Sequence, residues 1–386
     1  MEKNQSEQQW LEDALEAPPP YMSISPSYTI EQLRKDLYPP SQQGLSQLTA
    51  DDLPETTSTR QQASTSAQSL DQDEYLPAKL ALCRDAADDS ALPLETTVLY
   101  LAYGSNLASE TFLGMRGIKP LSQLNVVVPE LRLTFDLPGV PYIEPCFAGT
   151  HFRSTLALSE DEKAGTNSEE HTLLPNGESD QDHYSGPLIG VVYEVTLRDY
   201  ATIIATEGGG RGYKDIVIAS YPFPKGYDPA DPIPERPTTQ PVKAHTLLSP
   251  AALKDLVPLH PHPFTQSRST SLSSPRYMQP SARYLNLIRT GAAEHNLPFV
   301  YREYLAQLQP YRITSLRQKI GMGLFLVMWG PFLLAMLVLQ RVFARPDGRS
   351  PEWVGRFMDF VKVGMWSTYE QGFKRVFGDG EKTVER

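Results

Sequence analysis

Cysteine is scarce in this chain, with only Cys83 and Cys146 among 386 residues. One falls in a polar N-terminal tract and the other in a strand-like segment, so no disulfide framework is expected and a reducing compartment is consistent. Histidine is equally thin: the seven are scattered, and the pair His260/His262 is set among prolines without the spacing of metal ligands. No metal site is therefore expected. Basic residues number 35 against 46 acidic ones and form no stripe, which argues against a nucleic-acid partner. The N-terminus has no positive start followed by an apolar run, so no secretory signal is expected. The glycine cluster Gly208-Gly209-Gly210-Arg211-Gly212 lacks a Lys-Ser/Thr ending and follows a helical pattern, so it does not read as a phosphate loop.

What is present divides unevenly along the chain. Residues 1–97 carry 17 acidic and 6 basic side chains, which accounts for the whole formal charge of −11. This tract is rich in Ser, Gln, Pro and Asp with weak apolar periodicity, and reads as a disordered acidic tail. Two short helical patterns interrupt it, at 7–16 and 29–37, as transient helices or partner-binding segments. From 98 to 310 strand-like and helix-like segments alternate. Candidate strands are 98–102, 124–128, 131–137, 146–150, 188–195, 215–221 and 242–248, with helices near 198–206, 281–295 and 298–308. Polar or Pro-rich insertions at 159–185, 222–241 and 258–275 read as surface loops.

The most informative stretch is Val98-Leu-Tyr-Leu-Ala-Tyr-Gly-Ser-Asn-Leu107, an apolar strand entering a tight polar turn. Gly104 permits a backbone conformation closed to other residues, and Ser105 and Asn106 place donors beside it, where an anionic ligand group could sit. Taken alone it could also be a simple strand-ending turn. A second informative block begins at Gly190-Val-Val-Tyr-Glu-Val195. Thr196 with Asp199 resembles a helix-start cap, and the helix that follows ends at Glu207 before the glycines. A carboxylate at a helix C-terminus meets the negative end of the macrodipole, which raises its tendency to hold a proton. That suits a proton shuttle, although a solvated Glu also tolerates such a place.

Tyr103-Gly104-Ser105-Asn106 resembles the Tyr-Gly-Ser-Asn signature of the γ-glutamylcyclotransferase family. The block from Gly190 to Glu207-Gly208 is similar to that family's second signature, in which a Glu before glycine is the catalytic acid/base. Pro280-Ser-Ala-Arg-Tyr-Leu285, with Ile288, Gly291-Ala292, Glu294, Leu297-Pro298 and Tyr301, is similar to its C-terminal helical portion. Phe147-Ala148-Gly149-Thr150 stands where many relatives have a Phe-Ala-Asn-Ile-like strand. The resemblance implies an α+β fold, a small mixed β-barrel with flanking helices. It also implies cyclisation of a γ-glutamyl unit to 5-oxoproline, the α-amino group attacking its own γ-carbonyl and an amino acid, peptide or amine leaving. No metal, nucleophilic side chain or organic cofactor is needed, because the nucleophile is already intramolecular. Glu207 is then the proton shuttle, and the turn Gly104–Asn106, flanked by Tyr103 and Leu107, binds the glutamyl group. Tyr284 is either a pocket phenol or a packed helix tyrosine. Implied substrates are a γ-glutamyl amino acid, glutathione, or a γ-glutamyl conjugate such as a γ-glutamylamine or secondary metabolite. The alternative is a non-catalytic binding module of the same fold.

One long apolar run is present. Ile320 to Leu339 is 20 residues without a charge, enough for roughly 30 Å of hydrocarbon at about 1.5 Å per residue, and reads as a single-pass transmembrane helix, with a buried hairpin of helices inside a globular domain as the alternative. Gly330-Pro331 would kink it. Arg312, Arg317 and Lys319 precede it and Arg341, Arg345 and Arg349 follow, so charge does not fix an orientation. Membrane lipid is thus an expected partner, with the enzymatic domain in the cytosol. Beyond it, 350–377 places Val354, Met358, Val361, Met365, Tyr369, Phe373 and Val376 on one face of an amphipathic helix. That helix either lies in a membrane interface or packs on the domain.

Overall fold

The computed structural model describes residues 53–66, 97–153, 186–207, 213–248, 278–345 and 348–384. The helical patterns at 7–16 and 29–37, the insertions at 159–185 and 258–275, Cys83, the His260/His262 pair and the glycines after Glu207 lie outside them. The described elements begin with α1 (Ser58–Ser66), β1 (Thr97–Ala102), β2 (Ser122–Val128), β3 (Leu131–Val140), β4 (Glu144–Phe152) and β5 (Leu188–Thr196). They continue with α2 (Leu197–Thr206), β6 (Lys214–Pro222), β7 (Val242–Leu248), α3 (Ala282–Glu294) and α4 (Phe299–Gln307). Each strand and helix expected between 98 and 310 forms, with ends shifted by at most a few residues.

Five strands close into a barrel in the order β1-β5-β2-β6-β7, all pairs antiparallel except the closing β7–β1 contact, which is parallel at Tyr100↔His245. The fold is thus the α+β arrangement expected, but β3 and β4 stand outside the barrel as their own two-stranded sheet. The reason is visible in the side chains. β5 is apolar and buried along nearly its whole length, as a central strand flanked by β1 and β2 must be, whereas β3 alternates buried Leu131, Leu133 and Phe135 with half-exposed residues. Local signals set both helix starts that matter: the Thr196 side chain accepts from the Asp199 N–H, and that of Ser281 from the Tyr284 N–H.

The N-terminal tract is not uniformly without structure. Residues 53–66 pack on the barrel, with Thr56, Arg60 and Ser64 buried. The Arg60 guanidinium donates to the Glu194 carboxylate on β5 (3.1 Å) and to the Thr97 carbonyl on β1 (3.2 Å). Thr97 and Ser122 hydroxyls complete the shell around Glu194 at 2.8 and 2.9 Å. Composition concealed this strap because its anchors are long-range, the Arg60–Glu194 pair across 134 positions and hydrogen bonds of Pro54, Thr56 and Ser64 to β2 and β7, with no apolar periodicity around them.

At the other end lie α5 (Leu316–Val342), α6 (Glu352–Thr368), a π-helical turn (Tyr369–Phe373) and α7 (Lys374–Phe377). α5 starts with a capping box between Ser315 and Gln318 and continues through Pro331. Among the described residues it is the one helix long and apolar enough to cross a membrane. Of the expected stripe, Val354, Met358, Val361, Met365, Tyr369 and Phe373 are buried while Val376 is exposed; Trp366 donates from Nε1 to the Gly139 carbonyl (3.2 Å), and Tyr369 meets Tyr142 edge-on. The structure therefore favours the packing alternative for this helix: its apolar face is turned inward.

Candidate active site

Two parts of the chain 101 residues apart meet at the open end of β1. Gly104 leads from the strand into a 3-10 turn, Ser105–Leu107, and α2 delivers Glu207 as its C-cap, the Glu207 N–H closing on the Ile203 carbonyl. The buried Asn106 amide donates from Nδ2 to the Tyr100 hydroxyl (2.8 Å) and to the Glu207 carboxylate (3.3 Å). Its Oδ1 is buried and has no partner among the described residues. The N–H groups of Ser105 and Asn106 open the turn, and no acceptor is recorded for them among the described residues.

Gly104 is favoured by close packing and not by the left-handed conformation its turn position suggests. Its φ is −107°, outside the left-handed region, but a Cβ there would come within 3.2 Å of the Tyr284 hydroxyl. Tyr284 therefore packs against this turn: its Oη accepts the Ala148 N–H (3.1 Å), tying α3 to β4 behind it. Tyr103 and Leu107 play other parts. The Tyr103 hydroxyl donates to the Leu247 carbonyl (2.5 Å) at the barrel seam, and Leu107 is wholly buried core.

α3 holds the turn in place. A Cβ on Gly291 would fall 2.4 Å from the Leu107 carbonyl carbon, so only glycine lets the helix approach that closely. Glu294 accepts the Ser109 N–H (2.8 Å), and His295 Nε2 lies 3.0 Å from the Leu107 carbonyl and 2.7 Å from the Tyr193 hydroxyl. The third sequence block is thus the scaffold of the first.

Two residues escaped the sequence reading. Arg116, nearly buried, pairs with the Glu207 carboxylate and donates from Nη1 to the Thr206 hydroxyl (2.6 Å). The guanidinium thus lies against the carboxylate at the helix end as a charge-assisted partner. No motif or spacing marks Arg116; it follows an irregular π-helical turn, Glu110–Met115. Tyr213, just before β6, donates to the Ala148 carbonyl (3.1 Å). Burial first, with the charge of Glu207 adding to it, pushes the phenols of Tyr100, Tyr103, Tyr213 and Tyr284 well above their ordinary range, so they act as neutral hydrogen-bonding groups.

The arrangement defines a class: a small α+β barrel that sets one carboxylate against an amide-bearing turn, groups that can hydrogen-bond to and exchange protons with a polar molecule. Among the described residues no group of His, Cys, Asp and Glu is placed to hold a metal. Comparison with known proteins narrows the class. The chain is 32% identical over 285 residues to the γ-glutamyl cyclotransferase gliK of Aspergillus fumigatus, spanning 74% of this chain and 89% of that protein. It is 30% identical over 290 residues to the γ-glutamyl cyclotransferase aclK of Aspergillus oryzae, spanning 74% and 90%. The chain belongs to the γ-glutamyl cyclotransferase family. A family model described as the AclK C-terminal domain matches residues 315–376, the span from α5 into α7. A solved structure named Gamma-glutamyl cyclotransferase aligns with 57% of this chain and 92% of its own at 16% identity and a TM-score of 0.34.

Proposed function

We propose that this cyclotransferase converts the γ-glutamyl group of an amino acid, peptide or amine conjugate into 5-oxoproline, with release of the attached amine and Glu207 as proton shuttle. The observation that carries the reading is the Glu207–Asn106 pair, which sets a half-buried carboxylate beside a buried amide oxygen that has no donor among the described residues. A glutamyl α-amino group fits that combination: its ammonium form first gives one proton to solvent, Asn106 Oδ1 accepts one N–H of the resulting amine, and Glu207 takes the second proton as nitrogen bonds to the γ-carbonyl carbon. The same carboxyl then returns that proton to the departing nitrogen as the amide C–N bond breaks, and the released amine takes up the other from solvent, so the reaction is an intramolecular cleavage without added water or redox change. The N–H groups of Ser105 and Asn106 would hold the α-carboxylate or polarise the γ-carbonyl. Glutathione, γ-glutamyl dipeptides and γ-glutamyl conjugates all present this glutamyl end. We place the domain in the cytosol, where such compounds chiefly occur, attached to a membrane through the C-terminal helices.

A binding module without turnover is the second reading, and the Arg116–Glu207 pair favours it, since it already engages the carboxylate that the first reading needs for proton transfer. One experiment separates them. The full chain in detergent is incubated with glutathione and γ-glutamyl dipeptides and 5-oxoproline is measured. Turnover that falls by about 10³-fold in Glu207→Gln, in keeping with loss of a general acid/base, is the expected result. Unchanged turnover in Glu207→Gln refutes the assignment, and ligand binding without any turnover establishes the second reading.

A further inference from the structure

α5 and the helices after it run antiparallel along their whole length. A Cβ on Gly364 of α6 would meet the Trp329 ring at 2.7 Å, and one on Gly321 would meet the Phe377 side chain at 2.5 Å. The chain that leaves along α5 therefore comes back beside it, and both ends of the pair are fastened to the same domain. At the near end the Tyr142 N–H donates to the Gly380 carbonyl (2.9 Å), the Gln279 N–H to the Glu381 carbonyl (3.0 Å) and Gln318 Nε2 to the Asp379 carbonyl (2.7 Å). At the far end Gly348 (φ 77°) presses on α2, where a Cβ would fall 1.9 Å from the Ala201 carbonyl oxygen. A helix of 27 residues standing across a bilayer would carry its far end about 40 Å from its root. Here the far end rests on the helix that carries Glu207.

One face of α5 supplies this packing, through Gln318, Gly321, Phe325, Trp329 and Leu333. The remainder of its surface exposes Ile320, Leu324, Val327, Met328, Phe332 and Val338, with Val327 at 78%. A helix apolar all round needs an apolar neighbour on every side, and an exposed patch of this length marks an interaction surface. The charges around it select the neighbour. Exposed Arg312, Arg317 and Lys319 flank one end and exposed Arg341 and Arg345 the other, while the Phe343–Trp353 pair (4.9 Å) sits at the far end. Two copies joined through this face would bring cations against cations at both ends. Lipid phosphates neutralise them while the apolar side chains enter the acyl layer.

We propose that α5 lies in the plane of one membrane leaflet instead of crossing the bilayer, with its outer face in the acyl layer and its flanking cations on anionic headgroups, holding α2 and Glu207 at the membrane surface. The test uses the full chain synthesised in the presence of sealed phosphatidylcholine/phosphatidylserine vesicles. Flotation with the vesicles is expected, and the double variant Val327→Glu/Met328→Glu, which touches no part of the cleft, is expected to reduce it at least about tenfold with cyclotransferase turnover retained. Topology is read separately: in a Cys83→Ser background, Ser350→Cys and Val384→Cys are each treated with an impermeant maleimide from outside. Equal labelling of both supports the in-plane helix. Protection of Ser350→Cys alone shows a spanning helix and overturns it. Failure to float overturns it as well, whether the protein is then a monomer or a dimer with the face buried against a second copy.

Discussion

Arg60→Met tests whether the strap at 53–66 contributes to the fold. The Arg60 guanidinium lies 3.1 Å from the Glu194 carboxylate, with side chains 9% and 12% exposed. At an effective dielectric near 20 that separation corresponds to roughly 5 kcal/mol of gross attraction. Burial opposes it by penalising the guanidinium charge, which lowers the Arg60 pKa while Glu194 pulls it back up. Replacement by methionine keeps the stem and removes the charge, so the loss is governed by the carboxylate left behind. Glu194 retains the Thr97 and Ser122 hydroxyls, which places the cost near the lower end of the range for a broken buried pair, about 3 kcal/mol. For a domain of this size that is about 6–12 °C in Tm. Thermal unfolding of the full chain in detergent, followed by near-ultraviolet circular dichroism, measures it. The double variant Arg60→Met/Glu194→Gln should recover part of the loss, because no unpaired charge remains. A single-variant Tm within about 1 °C of the parent would show that the pair does not fasten the strap, and the reasoning would fail.

Three further outcomes are expected. Gly291→Ala forces α3 off the Leu107 backbone, which should cost about 1–3 kcal/mol in denaturant unfolding and lower kcat/KM by misplacing the 3-10 turn; a variant with parental kinetics would separate the turn from catalysis. Tyr284→Phe leaves the buried Ala148 N–H without its acceptor, a loss of about 1–3 kcal/mol visible as a lower urea midpoint at unchanged slope. The C-terminal clasp should give stability two pH arms. Burial raises Asp379, but the Glu381 N–H and then the Lys374 ammonium outweigh it, so its carboxyl titrates below the ordinary value and its contribution, present above about pH 4, is lost as pH falls through that lower value. Burial lowers Lys374, but Glu381 and Asp379 outweigh it, so its contribution is present below about pH 10.4 and lost as pH rises through the higher folded value. Tm measured against pH in Lys374→Met should lack the alkaline arm; an unchanged arm would refute the assignment.

The three sequence blocks were legible because each depends on local rules. The apolar strands, the capped starts at Thr196 and Ser281 and the chain break after Thr206 follow from periodicity and side-chain chemistry within a few residues. Glu207 could be placed at a helix end on those grounds alone, and the 20-residue run could be identified as too apolar for water. What those residues face is a property of distance in space. Arg116 reaches Glu207 across 91 positions and Arg60 reaches Glu194 across 134, and neither pair leaves a trace in spacing. Gly104 and Gly291 read as turn or helix glycines, but the first is set by the Tyr284 hydroxyl and the second by the Leu107 backbone. The sequence by itself determined which segments are strand, helix and apolar run, because those choices rest on each residue's own conformational and solvation preferences. Only the tertiary structure decided which strands close the barrel, which cation accompanies the carboxylate, and that the apolar helix doubles back on its own domain. Those depend on contacts between residues that the chain keeps far apart.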